Sequence, residues 1–314
     1  MRPALRTGLL AIWRDSDTVQ IGVDPGRAVA ITGMTGSADV IRLLDGSRDR
    51  DQVIAEAGRR GVPAAVAEQV MTVLAAADAL VDQPVPLLRS VPTELRRQLL
   101  PVLAVAALGS QHTDGGGQLL ARRSATRVAV GGSGPAADVL TDLLTDLLTR
   151  SGLRARRAQP ADGSDADLLV LVGHQSPAQT AELLRRPVAH LAVTASEGIG
   201  VVGPLVRPGS TACLRCLDLA RAERDPAWPL ILAQLAGRSA DPAACDPVLV
   251  TAVAAQAACV VVAFVDGGPA ADAAANGTLE LMVPAWQWRR RSWGPHPACC
   301  CGASAAAYGG TSAG

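Results

Sequence analysis

The sequence GPLVRPGSTACLRCLDLARAERDPAWP, residues 203–229, contains a Cys-x-x-Cys pair formed by Cys213 and Cys216. A second cysteine group, in WGPHPACCCG near the C-terminus, supplies Cys299 and Cys301. Zn²⁺ takes four thiolates in a tetrahedron, and two short cysteine pairs far apart in sequence are typical of such sites. We therefore predict a structural Cys₄ zinc site. The alternative is that these cysteines are small buried apolar side chains.

The composition limits the partners and the chemistry. A chain of 314 residues is long enough for about two domains. The 29 basic and 29 acidic residues balance, so no net charge attracts nucleic acid or an anionic membrane. All 29 basic residues are arginine. No lysine is therefore available to form a Schiff base or to contact a phosphate.

Neither export nor membrane insertion is predicted. Residues 1–17 carry a short apolar run and several charges, which does not fit a secretory signal. Residues 248–265 come nearest to a membrane span but include Thr251 and Gln256, so we predict a buried helix. With no export signal we expect a cytoplasmic protein, in a reducing compartment where cysteines bind metal in preference to forming disulfides.

Residues 1–85 are predicted to form an N-terminal winged-helix-like domain. Turn-forming residues separate short β-prone runs, which predicts a three-stranded antiparallel meander. Three helices follow, the first capped by Ser37 and the third beginning near Pro63. The predicted strands cover residues 9–14, 18–24 and 27–34, and the first two helices cover residues 37–44 and 49–60.

Two functions are considered for this domain. A DNA-binding winged helix needs a basic recognition helix, but the third helix carries Glu68 and Asp78 and no arginine, so we predict no nucleic-acid binding. The strand at residues 27–34 instead offers an edge to which an extended peptide can add. Val29 and Ile31 are its candidate peptide contacts. The alternative is a domain that only packs against the larger one.

The second predicted domain, residues 126–302, begins like a Rossmann fold. A buried strand leads into Gly132-x-Gly134-x-x-Ala137 and a leucine-striped helix, which matches the dinucleotide fingerprint with alanine in the third place. Further strands are predicted at residues 167–173, 189–196 and 279–283. Residues 86–125 are predicted as a helical linker with a Gly-rich loop, and residues 303–314 as a disordered tail.

The residues that should accompany a working nucleotide loop are missing from their expected places. No acidic residue for a ribose occurs in residues 153–157. Gly173-His174-Gln175 follows the next strand, where an aspartate could have held Mg²⁺. We predict a Rossmann-like fold whose nucleotide chemistry has been lost.

Four other features remain open from the residues alone. His174 could be catalytic, but a packed or hydrogen-bonded histidine is the favoured interpretation. His296 could replace a thiolate, and Cys245 has no nearby activating base in the sequence. The arginines at residues 289–291, or Arg215, could offset the negative charge of a Cys₄ zinc site. A solvated basic strand is the equal alternative for the three arginines.

The motifs GPLV, PG, CLRCLDL and DPAWP, followed by W-x-RR-x-W-x-x-HP-x-C-x-C, resemble the E1-like family of ThiF and MoeB type. They resemble more specifically the actinobacterial leader-binding proteins of thiazole/oxazole-modified microcin (TOMM) biosynthesis. This resemblance implies an α/β fold. It would consist of an N-terminal recognition element for ribosomally synthesised and post-translationally modified peptides (a RiPP recognition element), followed by an E1-like Rossmann domain with zinc. The family has glycine between the last two cysteines, where this chain has Cys300. Which two of the three neighbouring cysteines bind zinc therefore stays open, with the outer pair favoured.

The resemblance implies a function in making modified peptides. The protein would bind the leader of a ribosomal precursor peptide and present it to a separate YcaO-type enzyme that uses ATP. Its own E1-like domain would be a degenerate, non-catalytic scaffold, because phosphoryl chemistry depends on placed charges. The alternative is an active adenylyltransferase using ATP and Mg²⁺ on a peptide or carrier-protein C-terminus. A dinucleotide oxidoreductase is a further alternative, and a homodimer is expected from the resemblance only.

Overall fold

A computed structural model describes residues 2–15, 18–26, 28–82, 98–105, 116–132, 135–158, 165–237 and 245–303. The chain divides into two compact units, Met1–Ala121 and Arg122–Gly314. All of the predicted tail, residues 303–314, except Ala303 lies outside the described residues, as does most of the predicted linker. Each unit is described by itself below.

The N-terminal unit contains two small antiparallel sheets. The predicted meander is present as β2 (Ala11–Trp13), β3 (Thr18–Ile21) and β4 (Val29–Thr32), in the order β2-β3-β4. A second sheet, which the sequence analysis missed, pairs β1 (Pro3–Leu5) with β5 (Leu80–Asp82). Each of these strands has only three residues, and the two strands are far apart in the sequence. No local sequence pattern therefore predicts them.

Three helices follow the meander, as predicted. They are α1 (Ser37–Leu43), α2 (Arg50–Arg59) and α3 (Ala64–Ala76). The predicted cap of α1 is wrong, because Gly36 at φ 88° precedes the helix and the buried Ser37 is its first residue. Asp49 caps α2 in a reciprocal capping box with Gln52. Helix α3 buries Val70 and Leu74 in the core of this unit.

The C-terminal unit is built on a seven-stranded sheet in the order β12-β11-β10-β9-β8-β6-β7. Strands β7, β6, β8 and β9 are parallel, and β10, β11 and β12 extend the sheet in antiparallel pairings. The bounds are β6 (Arg127–Gly132), β7 (Arg154–Arg157), β8 (Leu168–Val172), β9 (Ala189–Ser196), β10 (Ile199–Val206), β11 (Gly277–Met282) and β12 (Gln287–Ser292). The parallel part has the predicted Rossmann-like arrangement, whereas β10 and β12 were not predicted.

Helices cover the sheet, with the main core on one face. Helix α5 (Pro135–Arg150) and helix α9 (Pro247–Asp266) pack together and bury the predicted leucine stripe, including Leu140, Leu144 and Leu148. The other helices are α4 (Gly117–Ala125), α6 (Pro177–Arg185), α7 (Leu214–Arg224), α8 (Trp228–Gly237) and α10 (Pro269–Ala274). Residues 98–105 are also helical.

Helix α9 is the one described helix that is long and apolar enough to cross a membrane. Half of its most apolar window is buried inside the unit, and Leu249 and Val253 belong to the core beneath the sheet. It ends at Gly267, whose φ of 77° forms a left-handed cap. This placement agrees with the predicted buried helix.

Candidate functional site

The four predicted cysteines lie together beside the antiparallel part of the sheet. Cys213 is the N-cap of α7, and Cys216 lies in the first turn of that helix, where its N–H donates to the Cys213 carbonyl at 3.0 Å. Cys299 follows β12 and donates its N–H to the carbonyl of His296 at 2.9 Å. The start of α7 and the turn after β12 thus each contribute two cysteines to one cluster.

The sulfur positions fit a tetrahedral metal. All four Sγ atoms lie within 4.8 Å of one another. The Sγ atoms are 3.7 Å apart for Cys213 and Cys216, 3.6 Å for Cys213 and Cys299, and 3.6 Å for Cys216 and Cys301. A Zn–S bond of about 2.3 Å gives a tetrahedral S···S edge of about 3.8 Å. The cluster therefore has the spacing that zinc requires.

The structure selects the outer pair of the three neighbouring cysteines. Cys299 and Cys301 join the cluster, whereas Cys300 is exposed. His296 is not among the clustered ligand atoms, and its Nε2 lies 2.9 Å from the Glu223 carboxylate. Cys245 is also outside the cluster. The donor set that fits a metal is four thiolates.

Hydrogen bonding and burial set the protonation of these thiols. The hydrogen bond from Cys213 lowers the pKa of Cys216 to about 4. The same hydrogen bond raises the pKa of Cys213, and burial raises the pKa of Cys299 to about 11. One thiolate is thus favoured even without a cation. Ligation by four thiolates must release the remaining protons, because the thiolate is the metal ligand.

A compact shell surrounds the cluster. Cys213 and Cys216 pack with Val206, Leu217 and Trp293, whose ring is 5% exposed. A cavity of about 30 Å³ borders Cys213 and Cys301. Such a volume has room for about two water molecules. The site is closed by protein ligands and packing, which is typical of structural zinc.

Arginine and tryptophan side chains alternate beside this shell. The Arg221 guanidinium lies 4.9 Å from the ring centre of Trp228 and 5.4 Å from that of Trp293. The Trp228 Nε1–H donates to Asp218 at 3.1 Å, and the Trp293 Nε1–H donates to Thr278 at 3.0 Å. Burial lowers the pKa of Arg221 and raises the pKa of Asp218. The stack ties α7 and the start of α8 to the end of β12.

The sequence analysis did not anticipate this stack, although DPAWP and W-x-RR-x-W contain its tryptophans. It also changes the interpretation of the arginines before the second cysteine pair. Arg291 contacts Glu280 at 3.4 Å and the Trp293 ring at 5.7 Å. The Arg290 Nε–H donates to the Ala273 carbonyl at 2.8 Å. The partners of these two arginines are thus a carboxylate, a ring, a hydroxyl and main-chain carbonyls, which agrees better with a basic strand than with compensation of the thiolates.

At the predicted nucleotide loop, Gly132 is the last residue of β6 and Ala137 is buried in α5, whereas Gly134 lies outside the described residues. A Cβ on Gly132 would lie 2.6 Å from the carbonyl oxygen of Val172 on β8. The close approach of two strands is therefore sufficient to require glycine here. The position carries no independent evidence for a nucleotide.

The charges around the loop are already paired. Arg157, at the end of β7, donates to Asp142 at 2.7 Å and also contacts Asp138 in the first turn of α5. The carboxylate of Asp138 lies at the helix end where a phosphate would otherwise be stabilised. His174, after β8, is exposed. A nucleotide site needs a ribose carboxylate and a metal-binding aspartate at these positions. The described residues found there are an arginine, two aspartates and a histidine.

The hydrogen-bond pattern of β4 bears on the predicted peptide contacts, Val29 and Ile31. The Arg14 N–H donates to the Thr18 carbonyl and the Gly22 N–H to the Leu10 carbonyl, so residues 18, 20 and 22 of the central strand face β2. By the alternation of an antiparallel ladder, residues 19 and 21 then bond to their partners Ile31 and Val29 on β4.

The main-chain groups at the free edge of β4 are therefore those of Ala30 and Thr32, both of which are exposed. The Ile31 side chain is 2% exposed and belongs to the core. Ile31 thus supports the strand from within, whereas Val29 is half-buried.

Comparisons with known proteins identify the fold. No protein-family model and no curated protein sequence matches the chain. Among solved structures, the heterocyclase TruD matches with a TM-score of 0.66 and 18% identity over 96% of this chain. The chain spans 43% of the length of that heterocyclase.

E. coli MccB solved with AMPCPP and MccA matches with a TM-score of 0.63 and 12% identity, over 97% of this chain and 100% of the MccB chain. The microcin C7 biosynthetic enzyme MccB in complex with N-formylated MccA matches with a TM-score of 0.59 and 14% identity, over 96% and 100% of the two chains. The chain therefore shares one mixed α/β fold with these proteins, and its parallel-rich sheet fits the Rossmann-like domain of E1-like enzymes.

Proposed function

We propose that this chain is an E1-like partner protein in the biosynthesis of a ribosomally made, azole- or azoline-modified peptide. It binds the leader of the precursor peptide and presents it to a separate YcaO-type enzyme. The observation that carries the proposal is the fold match over nearly the whole chain to TruD, a heterocyclase, and to MccB, which has been solved with MccA. A heterocyclase solved in complex with substrate and cofactor shares this fold, as does the microcin C7 biosynthetic enzyme MccB in complex with N-formylated MccA.

We assign leader binding to the N-terminal unit, as a winged-helix-like recognition element. Its meander ends in β4, which pairs with β3 on one side only among the described residues. An extended peptide can add to such an edge through main-chain hydrogen bonds, while its alternate side chains give specificity. The outward groups of Ala30 and Thr32 are the proposed bonding positions.

The test uses a synthetic leader from a short peptide gene beside this gene, titrated against the full-length protein. Ala30→Pro removes the outward N–H without removing a bond to β3. Ala30→Val keeps that N–H and is the matched control. We expect Ala30→Pro to weaken binding by about tenfold relative to Ala30→Val, at unchanged zinc content. Equal affinities of the two variants would contradict leader binding at this edge.

In the proposed protein the metal centre stabilises the fold and does not react. Four cysteine ligands leave no open position for water or substrate. We propose zinc as the metal because a tetrahedral set of thiolates favours it over hard cations. A cytoplasmic location and a homodimer are proposed on cysteine chemistry and on resemblance, respectively.

The second candidate is an active ThiF-type adenylyltransferase using ATP and Mg²⁺. It is favoured by the fold match to E. coli MccB solved with ATP, at a TM-score of 0.61. The paired Arg157 and the complete lack of lysine argue against it, because adenylation depends on charges placed around the triphosphate. The same pairing argues against a dinucleotide oxidoreductase at this loop.

A further inference from the structure

A second sheet edge, in the C-terminal unit, has no role in the proposed function. Strand β12 lies at the end of the seven-stranded sheet and pairs with β11 only. All six of its residues, Gln287–Ser292, are exposed. The main-chain groups on its outer side therefore have no partner strand among the described residues.

The alternation of hydrogen bonds between β11 and β12 shows which main-chain groups of β12 face away from β11. The Trp293 N–H donates to the Asn276 carbonyl at 2.8 Å, directly after the register pair Ser292 and Gly277. Because bonded and non-bonded pairs alternate in an antiparallel ladder, the groups of Trp288, Arg290 and Ser292 point away from β11. The edge offers donors and acceptors along most of its length.

Large apolar side chains are concentrated at one end of this hairpin. Trp286 and Trp288 are 42% and 37% exposed. Met282 and Val283 are 39% exposed, and Met282 pairs in register with Ile199 of β10, which is equally exposed. Tryptophan and arginine are the residues most enriched in the energetic centres of interfaces. An edge that only prevents aggregation does not need exposed tryptophans.

The charge of the hairpin selects the partner. Residues 277–292 carry three arginines and one glutamate, which gives a net charge of +2. Arg291 is paired with Glu280, but the side chain of Arg289 has no hydrogen bond or ion pair among the described residues. Pairing of β12 with its own copy would bring two strands of three arginines each together, and in the register centred on Arg290 arginines lie directly opposite arginines, which destabilises a sheet. A second copy of this chain is therefore disfavoured.

From the free edge, the tryptophans and the charge, we infer that β12 docks an acidic extended segment of a partner protein, which adds to the sheet as an eighth strand. Acidic side chains of that segment lie beside Arg289, and its apolar side chains contact Trp288. Polyanions such as nucleic acid share the charge, but they lack the alternating donors and acceptors that this edge matches.

The test begins with random peptides displayed on phage, long enough to span the six residues of β12, selected on the zinc-loaded full-length protein. We expect the enriched peptides to carry aspartate or glutamate at alternate positions. A synthetic peptide of the consensus is then titrated against variants. Selection of peptides without acidic residues would overturn the proposal.

Trp288→Pro and Trp288→Ala both remove the indole, but only the proline removes the outward N–H. We expect the proline variant to bind the acidic peptide about three- to tenfold more weakly than the alanine variant. Arg289→Glu should also weaken binding, and a peptide with lysine in place of the facing acid should restore it. Unchanged zinc content and melting temperature show that each variant is folded.

Two results would overturn docking by strand addition. The first is equal binding to Trp288→Pro and Trp288→Ala. The second is an affinity for a single-stranded oligonucleotide that matches the peptide affinity, survives Trp288→Pro and is lost in Arg289→Glu. That pattern would identify a polyanion site without main-chain pairing.

Discussion

Three consecutive cysteines near the C-terminus have different surroundings. The sulfur atoms of Cys299 and Cys301 face the pair on α7, whereas Cys300 points into solvent. We predict that Cys301→Ser loses stoichiometric zinc and lowers the melting temperature, because structural zinc binding is coupled to folding. Cys300→Ser should keep one zinc per chain. Metal analysis of the two purified variants makes the comparison.

The reverse pattern, with zinc lost in Cys300→Ser and kept in Cys301→Ser, would show that Cys300 and not Cys301 is the zinc ligand. The sequence alone left this choice open, since spacing allows more than one pair among three neighbours. The turn in which the Cys299 N–H bonds to His296 decides which sulfurs face α7.

The close packing at Gly132 leads to a prediction about stability and not about nucleotide binding. A Cβ at this position would collide with the main chain of Val172, so Gly132→Ala should lower the free energy of unfolding by about 1–3 kcal/mol. Gly58→Ala is the control, because its Cβ would meet no atom within 4 Å and the helix should gain about 0.5–1 kcal/mol. Urea unfolding measures both changes. An unaltered stability of Gly132→Ala would refute the steric explanation.

Main-chain direction is the residue-level feature that sequence reasoning could not supply. The alternation of Val29, Ala30, Ile31 and Thr32 identifies a strand and its buried face. It does not identify which N–H groups point to the neighbouring strand, because this depends on how the central strand bonds to β2. Sequence alternation therefore could not tell whether the main-chain groups of Val29 and Ile31 or those of Ala30 and Thr32 face the free edge.

At the level of elements, the metal cluster holds α7 to the segment after β12. We predict that a strong chelator will raise amide hydrogen exchange in Leu214–Arg224 and in residues 293–301, because the thiolates link these two segments. Helix α2, Arg50–Arg59, lies in the other unit and should be unaffected. Exchange measured by mass spectrometry before and after chelation tests this. Unchanged protection of α7 after complete zinc removal would contradict it.

The elements that the sequence predicted best have strong local signals. Helix α2 has a capping box from Asp49 to Gln52, and α9 is a long apolar run that ends at a left-handed glycine. Strand β12 was not predicted because its residues, including Gln287 and the three arginines, are all exposed and show no alternation of apolar and polar side chains. It exists because β11 supplies its bonding partner, which is a tertiary effect.

At the level of the whole molecule, the chain combines a sheet edge at β4 in one unit with a four-cysteine cluster that could hold a metal in the other. The motifs at both cysteine pairs predicted the E1-like fold, and the comparisons agree with it over nearly the whole chain. The chemistry was harder to predict, since a glycine fingerprint is compatible with both a working and a lost nucleotide site. Here Arg157 is neutralised by Asp138 and Asp142, pairings that sequence order does not reveal.

The central claim is that this protein holds a peptide without activating it. The direct test is ATP–pyrophosphate exchange with the zinc-loaded protein, Mg²⁺ and the neighbouring precursor peptide, with an adenylating enzyme as the positive control. We predict no exchange above the level seen without peptide, because Arg157 at the end of β7 is already paired with Asp138 and Asp142 and the chain has no lysine to offer the triphosphate. Exchange that depends on the free carboxylate of the peptide would contradict the account and identify an active adenylyltransferase.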